Sequence, residues 1–154
     1  MARRVYFSFH YERDIFRVNQ VRHSWLTHRD RDSAGFWDAA ERETLLRAGV
    51  RAVAQWIDRQ LHGTSVTAVL IGAETANREW VHYEIEESIR QRKGLVGVRI
   101  HQLKDRDRRT DARGNNPFDR YPGGHTVPIY DWVGDTGYVN FGDWVEGAAL
   151  AVGR

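Results

Sequence analysis

The sequence predicts an α/β domain: a three-layer sandwich with a central, mostly parallel sheet between two layers of helices. Three observations lead there. Short apolar runs read as strands at RVYFSF (4–9), SVTAVLI (65–71), LVGVRIH (95–101) and VPIYDW (127–132). Segments of helical period alternate with them, and such alternation implies parallel pairing through crossover helices. The runs are apolar on both faces, as strands covered on both sides must be. The flavodoxin-like strand order 2-1-3-4-5 accommodates the series best.

Taken in order, RVYFSF is the first strand. DIFRVNQVRHSW (14–25) follows, with Ile15, Val18, Val21 and Trp25 at helical spacing and Asp14 as the expected N-cap. THRDRDSAGFWDAA (27–40) has no clear period, and residues 29–37 are the candidate for the missing second strand. ETLLRAGVRAVAQWIDRQLHG (43–63) carries the stripe Val50, Val53, Ile57 and Leu61 and stops at Gly63, so one helix is expected. After the strand 65–71, NREWVHYEIEESI is amphipathic and is expected to run as a helix to about Arg92, closed by Gly94. Residues 102–126 form a long polar stretch rich in Arg, Asp, Gly and Pro, and a loop of that length is expected to be functional or mobile. The last strand is then followed by the helix FGDWVEGAALAV (141–152).

A chain of 154 residues suits one domain spanning 1–154 with its own core. The net charge of +2 comes from 23 basic and 21 acidic side chains that are interleaved, so the concentrated basic surface of a nucleic-acid binder is not expected. There is no cysteine, which excludes disulfides, thiol nucleophiles and thiolate zinc sites. No HExxH or other ligand spacing organises the seven histidines, so no metal is expected. The N-terminus is too polar for a signal peptide and no run has the length of a membrane span, so a soluble cytoplasmic protein is expected.

In a sheet of this order, ligands bind beyond the carboxyl ends of the strands, where the chain direction switches between the first and third. Here the loop Ser8–Asp14 meets the loop Gly72–Trp80, and Glu84 lies one to two turns into the helix that begins there. At about 100° per residue from Trp80, the arc from roughly 80° to 180° holds Val81, Ile85, Ser88 and Ile89 and faces the core. His82, Glu86 and Arg90 then face water, and Glu84 falls at the border, near 40°. A carboxylate so placed is either a surface acid paired with Arg or Lys or a partly desolvated acid reaching a cleft.

The strand and loop RVYFSFHYERD, the LIG end of the 65–71 strand and above all EWVHYEI resemble the Toll/interleukin-1 receptor (TIR) domain, in particular the bacterial TIR-like proteins of Thoeris antiphage defence, ThsB among them. The resemblance covers roughly residues 3–100. It implies a flavodoxin-like fold and cleavage of the nicotinamide–ribose bond of NAD+, a substrate and not a cofactor, to give a cyclic or otherwise modified ADP-ribose signal. It also implies a catalytic glutamate four residues after a tryptophan, which Glu84 and Trp80 match, and a Ser-aromatic turn after the first strand, matched by Ser8 and Phe9 with His10 and Tyr11 following. The match is loose at Gly35 and Phe36, where relatives place a glycine and an aromatic over the substrate. Self-assembly, a phage-derived trigger and a separate effector that receives the signal are further expectations of the family.

Nicotinamide leaves NAD+ as a neutral molecule, so the reaction asks chiefly for negative charge beneath a ribosyl cation. Glycosidases meet a similar cation with carboxylates. Glu84 would supply that charge, and Trp80 could wall the ribose or nicotinamide. Phe9 and Tyr11 could stack a ring, Ser8 and the amides that follow could hold phosphate at a helix N-terminus, and Arg13 could offset pyrophosphate charge. Two other functions fit the sequence: a non-catalytic TIR-like interaction module, and a nucleoside deoxyribosyltransferase-like enzyme with a glutamate at the anomeric carbon.

Overall fold

The computed structural model describes residues 3–27, 31–34 and 39–154. Five strands form one sheet in the order β2-β1-β3-β4-β5, and every neighbouring pair is parallel. In chain order the elements are β1 (Arg3–Ser8), α1 (Tyr11–Leu26), β2 (Arg31–Ser33), α2 (Ala39–Ala48), α3 (Val50–Leu61), β3 (Val66–Ile71), α4 (Glu79–Arg90), β4 (Gly94–Arg99), β5 (Ile129–Asp131) and α5 (Gly137–Ala151). Strand alternation divides the core. Val5 and Phe7 of β1 pack with Val18, Val21 and Trp25 of α1 and Phe141 and Val145 of α5. Tyr6, between them in sequence, packs on the other face with Val53, Trp56 and Ile57 of α3. Val69 and Ile71 of β3 meet Val81 and Ile85 of α4. The expected three layers and strand order are both present.

Several boundaries differ from expectation, each for a physical reason. Residues 43–63 are two helices, not one: Gly49 takes φ 103°, outside the helical range, and Val50 at the break is 75% exposed rather than in the core stripe. The second strand falls within 29–37 but is only Arg31–Ser33, pairing with Arg3–Val5 at the sheet edge. The cap of α1 is His10, whose Nδ1 accepts from the Arg13 N–H at 3.3 Å. Asp14 lies a turn inside, fully buried against Gly72, where a Cβ would sit 2.1 Å from Asp14 Oδ2.

At the end of α4, Arg92 adopts φ 56° while Lys93 N–H reaches Ser88 O and Arg92 N–H reaches Ile89 O. This is a Schellman stop with arginine where glycine is usual. Gly94 is instead the first residue of β4, and a Cβ there would lie 2.4 Å from Ala148 O of α5. The last helix starts at Gly137, four residues earlier than expected, because Gly137 passes against the Trp132 ring.

Hydrogen bonds and packing tie the long polar stretch to the body of the domain. The Arg17 guanidinium, buried in α1, donates to Leu103 O at 2.8 Å and to Arg109 O at 2.9 Å, and Gln20 donates to Lys104 O at 2.8 Å. Arg99 donates to Gly114 O at 2.7 Å. Gly114 itself has no room for a side chain, since a Cβ would lie 2.1 Å from Gly72 O just beyond β3. Phe118, in a short 3-10 turn at Pro117–Arg120, is buried against Val69, Ile71, Val81 and Ile85. The stretch therefore lies across the carboxyl ends of the central strands. Among the described residues, no helix is long and apolar enough to cross a membrane.

Candidate active site

Glu84 sits in the second turn of α4 with 7% of its surface exposed, deeper than its border position on the helical wheel predicts. The wheel sees only α4, whereas β1 and α3 close over it. His82, which the wheel points to water, is 2% exposed, since Tyr121 from the long loop covers it and bonds His82 Nδ1 at 2.7 Å. Ile89, expected in the core, is 48% exposed.

A cavity of about 60 Å³ adjoins the Glu84 carboxyl, walled by Tyr6, Phe7, Phe9, Tyr11, Trp56 and Ile57. Tyr6 and Ser8 point to the same face of β1 and approach the carboxyl. Burial pushes Glu84 up to about 8 from an ordinary 4.5, while hydrogen bonding from Tyr6 and the nearness of Ser8 pull the other way. Burial, then the Glu84 charge, likewise raises the Tyr6 phenol well above its usual value, so Tyr6 is the donor in that contact. Ser8 Oγ is buried and has no hydrogen-bond partner among the described residues, so a small shift of either side chain would let it donate to the Glu84 carboxyl. No Arg or Lys pairs with Glu84 among the described residues, so the surface ion pair is not what the carboxyl makes. Deeper in the interface Ser88 Oγ donates to Glu84 O at 2.6 Å and meets Thr67 Oγ1 at 2.7 Å, which fixes this turn of α4 on β3.

The other sequence candidates divide by position. Phe9 and Tyr11 line the cavity, with their rings tilted at 6.2 Å. His10 is buried and serves as the α1 cap, with its ring 3.4 Å from Glu12 and 3.7 Å from Glu74. Burial first, then Arg78, lowers the His10 pKa, which keeps Nδ1 free to accept. Arg13 turns away and holds Asp111 through two hydrogen bonds of 2.7 and 2.9 Å, with Glu74 at 3.5 Å. Trp80 does not line the cavity: it packs edge-on against Tyr83 at 5.5 Å and borders a separate depression with Glu79 and Glu86. The tryptophan beside Glu84 is Trp56, from α3. Gly35 and Phe36 lie outside the described residues. No group of three or more His, Asp or Glu suited to a metal occurs among the described residues.

Tyr6 and Trp56 escaped sequence reasoning. A signal for Tyr6 was available, because period-2 alternation puts it on the same face of a strand as Ser8. Trp56 had none beyond lying next to the apolar stripe of its helix.

An all-parallel 2-1-3-4-5 sheet, with an acid set among aromatics where β1 and β3 part, defines a TIR-like domain of flavodoxin-like architecture. The chain belongs to the family described as Thoeris protein ThsB, TIR-like domain, whose model matches residues 6–105. It is similar to the Bacillus cereus (strain MSX-D12) protein named "Putative cyclic ADP-D-ribose synthase ThsB1", with 40% identity over 158 residues that span 98% of this chain and 78% of that one.

Proposed function

We propose that this protein cleaves the nicotinamide–ribose bond of NAD+, with Glu84 as the catalytic carboxylate, and releases a cyclic or otherwise modified ADP-ribose as a signal in antiphage defence. The observation that carries the reading is the Glu84 carboxyl itself, buried with no cationic partner among the described residues, beside an aromatic cavity at the β1/β3 switch point. The name of the Bacillus cereus relative supports the same chemistry. As the bond to nicotinamide breaks, positive charge grows on the ribose, and an ionised Glu84 beneath it lowers the barrier electrostatically. Fixed charge of this kind contributes about 3 kcal/mol. Tyr6 holds the carboxyl in place, and Phe9, Tyr11 and Trp56 supply faces for the departing ring. The nicotinamide cation would itself draw the Glu84 proton off on binding, since a nearby positive charge favours the ionised form.

The cavity of about 60 Å³ takes a few waters, not a nicotinamide ring. Pockets for small ligands begin at about 300 Å³. Side chains at its mouth must therefore shift before NAD+ enters, which agrees with an enzyme silent until self-assembly or a phage-derived trigger opens the site. The signal would pass to a separate effector.

Incubation of the purified protein with NAD+, with and without lysate of infected cells, tests the reading by mass spectrometry. Free nicotinamide and an ADP-ribose derivative are expected, with kcat/KM rising as pH approaches 8. Glu84→Gln should reduce both products by about 100-fold or more. Absence of nicotinamide under every activating condition, or an undiminished Glu84→Gln variant, refutes the assignment.

A further inference from the structure

A second cleft lies at the carboxyl ends of β4 and β5 and shares no lining residue with the Glu84 cavity. Its volume is about 510 Å³, within the range of small-ligand sites. Arg99 and Arg113 border it, and neither makes an ion pair among the described residues. Arg99 is half-buried and spends Nη1 on Gly114 O, and its fork is thereby held in place. Burial and then the nearby Arg113 lower its pKa, with Asp131 and then Asp119 offsetting part of the effect. Two neighbouring guanidiniums that no carboxylate bridges directly among the described residues are a ready site for a phosphate, which accepts two parallel N–H donors from a planar fork.

Beside the arginines the cleft supplies acceptors, since Asp131 on β5 is the register partner of Arg99 on β4. Asp131 Oδ1 accepts from the Val133 and Gly134 N–H groups at 3.0 and 2.9 Å, and Asp135 Oδ2 from the Asp131 N–H at 2.7 Å. These bonds fix both carboxylates and leave one oxygen on each with no partner among the described residues. Sugar hydroxyls are the natural donors to such oxygens. His101 also lines the cleft, 7% exposed, with Nδ1 buried and without a partner among the described residues. Tyr130 gives a rigid side, its ring stacked on Trp144 at 4.3 Å.

We propose that this cleft binds a small phosphorylated sugar, of the size of a mononucleotide, with the phosphate on Arg99 and Arg113 and the hydroxyls on Asp131 and Asp135. The site does not depend on Glu84 or on the proposed reaction.

Titration calorimetry on the Glu84→Gln protein, which prevents turnover, tests it with AMP, ribose 5-phosphate, adenosine and inorganic phosphate. One-to-one saturable binding is expected for AMP or ribose 5-phosphate, with adenosine and phosphate each weaker by about tenfold or more. Arg113 is exposed, so Arg113→Glu should keep the fold, as unchanged thermal unfolding would show, and lose about tenfold or more in affinity. Arg99→Met should act in the same direction. The proposal is overturned by no saturable binding of any probe, by affinity that both arginine variants leave unchanged, or by binding that a Trp56 substitution alone removes.

Discussion

Replacing Glu84 by glutamine separates the burial of this side chain from its charge. In the folded chain the carboxyl titrates near 8, because burial disfavours its ionised form, against an ordinary 4.5. Once unfolded, the same group meets water and ionises around 4.5. Between those values the folded state holds one more proton than the unfolded state, so stability falls as pH rises. The slope is about 1.4 kcal/mol per pH unit, and over the interval 8 − 4.5 = 3.5 it amounts to about 5 kcal/mol. That is a large share of the ~5–15 kcal/mol typical of a domain. Glutamine has no proton to lose and its amide oxygen can still accept from Tyr6. Urea unfolding followed by tryptophan fluorescence should therefore find the two proteins within about 1 kcal/mol at pH 5 and the variant more stable by about 3–5 kcal/mol at pH 8.5. Asp14, which burial raises to about 6 from 3.8, also loses stability with rising pH, but between those values and equally in both proteins, so it cancels from the difference. Parallel stability curves from pH 5 to 8.5 would refute the claim that Glu84 is protonated in the folded chain.

Two further perturbations probe the frame around the site. Arg17→Lys keeps a positive charge in α1 but loses the planar fork that reaches Leu103 O and Arg109 O; trypsin should then cut between Lys104 and Arg109 at least several-fold faster under native conditions, and an unchanged digestion rate would show that other contacts hold the loop. Arg92→Gly removes a side chain from a left-handed position at φ 56° and should stabilise the chain by about 1 kcal/mol, read as a rise of about 2–4 °C in Tm.

What could be read from the sequence depended on the range of the interaction. The three-layer plan and the strand order follow from local patterns, since a continuous apolar run such as Val66–Ile71 and the helical stripes around it each report their own burial. The sequence brackets β2 without locating it, because Arg31, Asp32 and Ser33 carry no apolar signal and become a strand only by pairing with β1. Gly49 lay unnoticed inside an unbroken apolar period, and only its φ of 103° separates α2 from α3. The anchoring of the polar stretch is not legible in the sequence: Arg17 binds two carbonyl groups, which every residue has, and Arg13 pairs with Asp111 across 98 positions.

The site divides along the same line. Ser8, Phe9, Tyr11 and Glu84 were accessible from one strand end and one helix, whereas Tyr6 and Trp56 required knowing that α3 closes over β1. Trp80 shows the same limit: its four-residue spacing from Glu84 places the two along one helix, yet the indole packs edge-on against Tyr83 and does not line the cavity. The protonation of Glu84 is the strongest case. A glutamate at this position on an isolated α4 would titrate near 4.5, and it is the cover from β1 and α3, elements distant in sequence, that raises it to about 8. The acid's position is thus written in local period, but its chemistry is a property of the assembled core. Any change that loosens α3 from β1 should return Glu84 towards an ordinary carboxylate without touching α4.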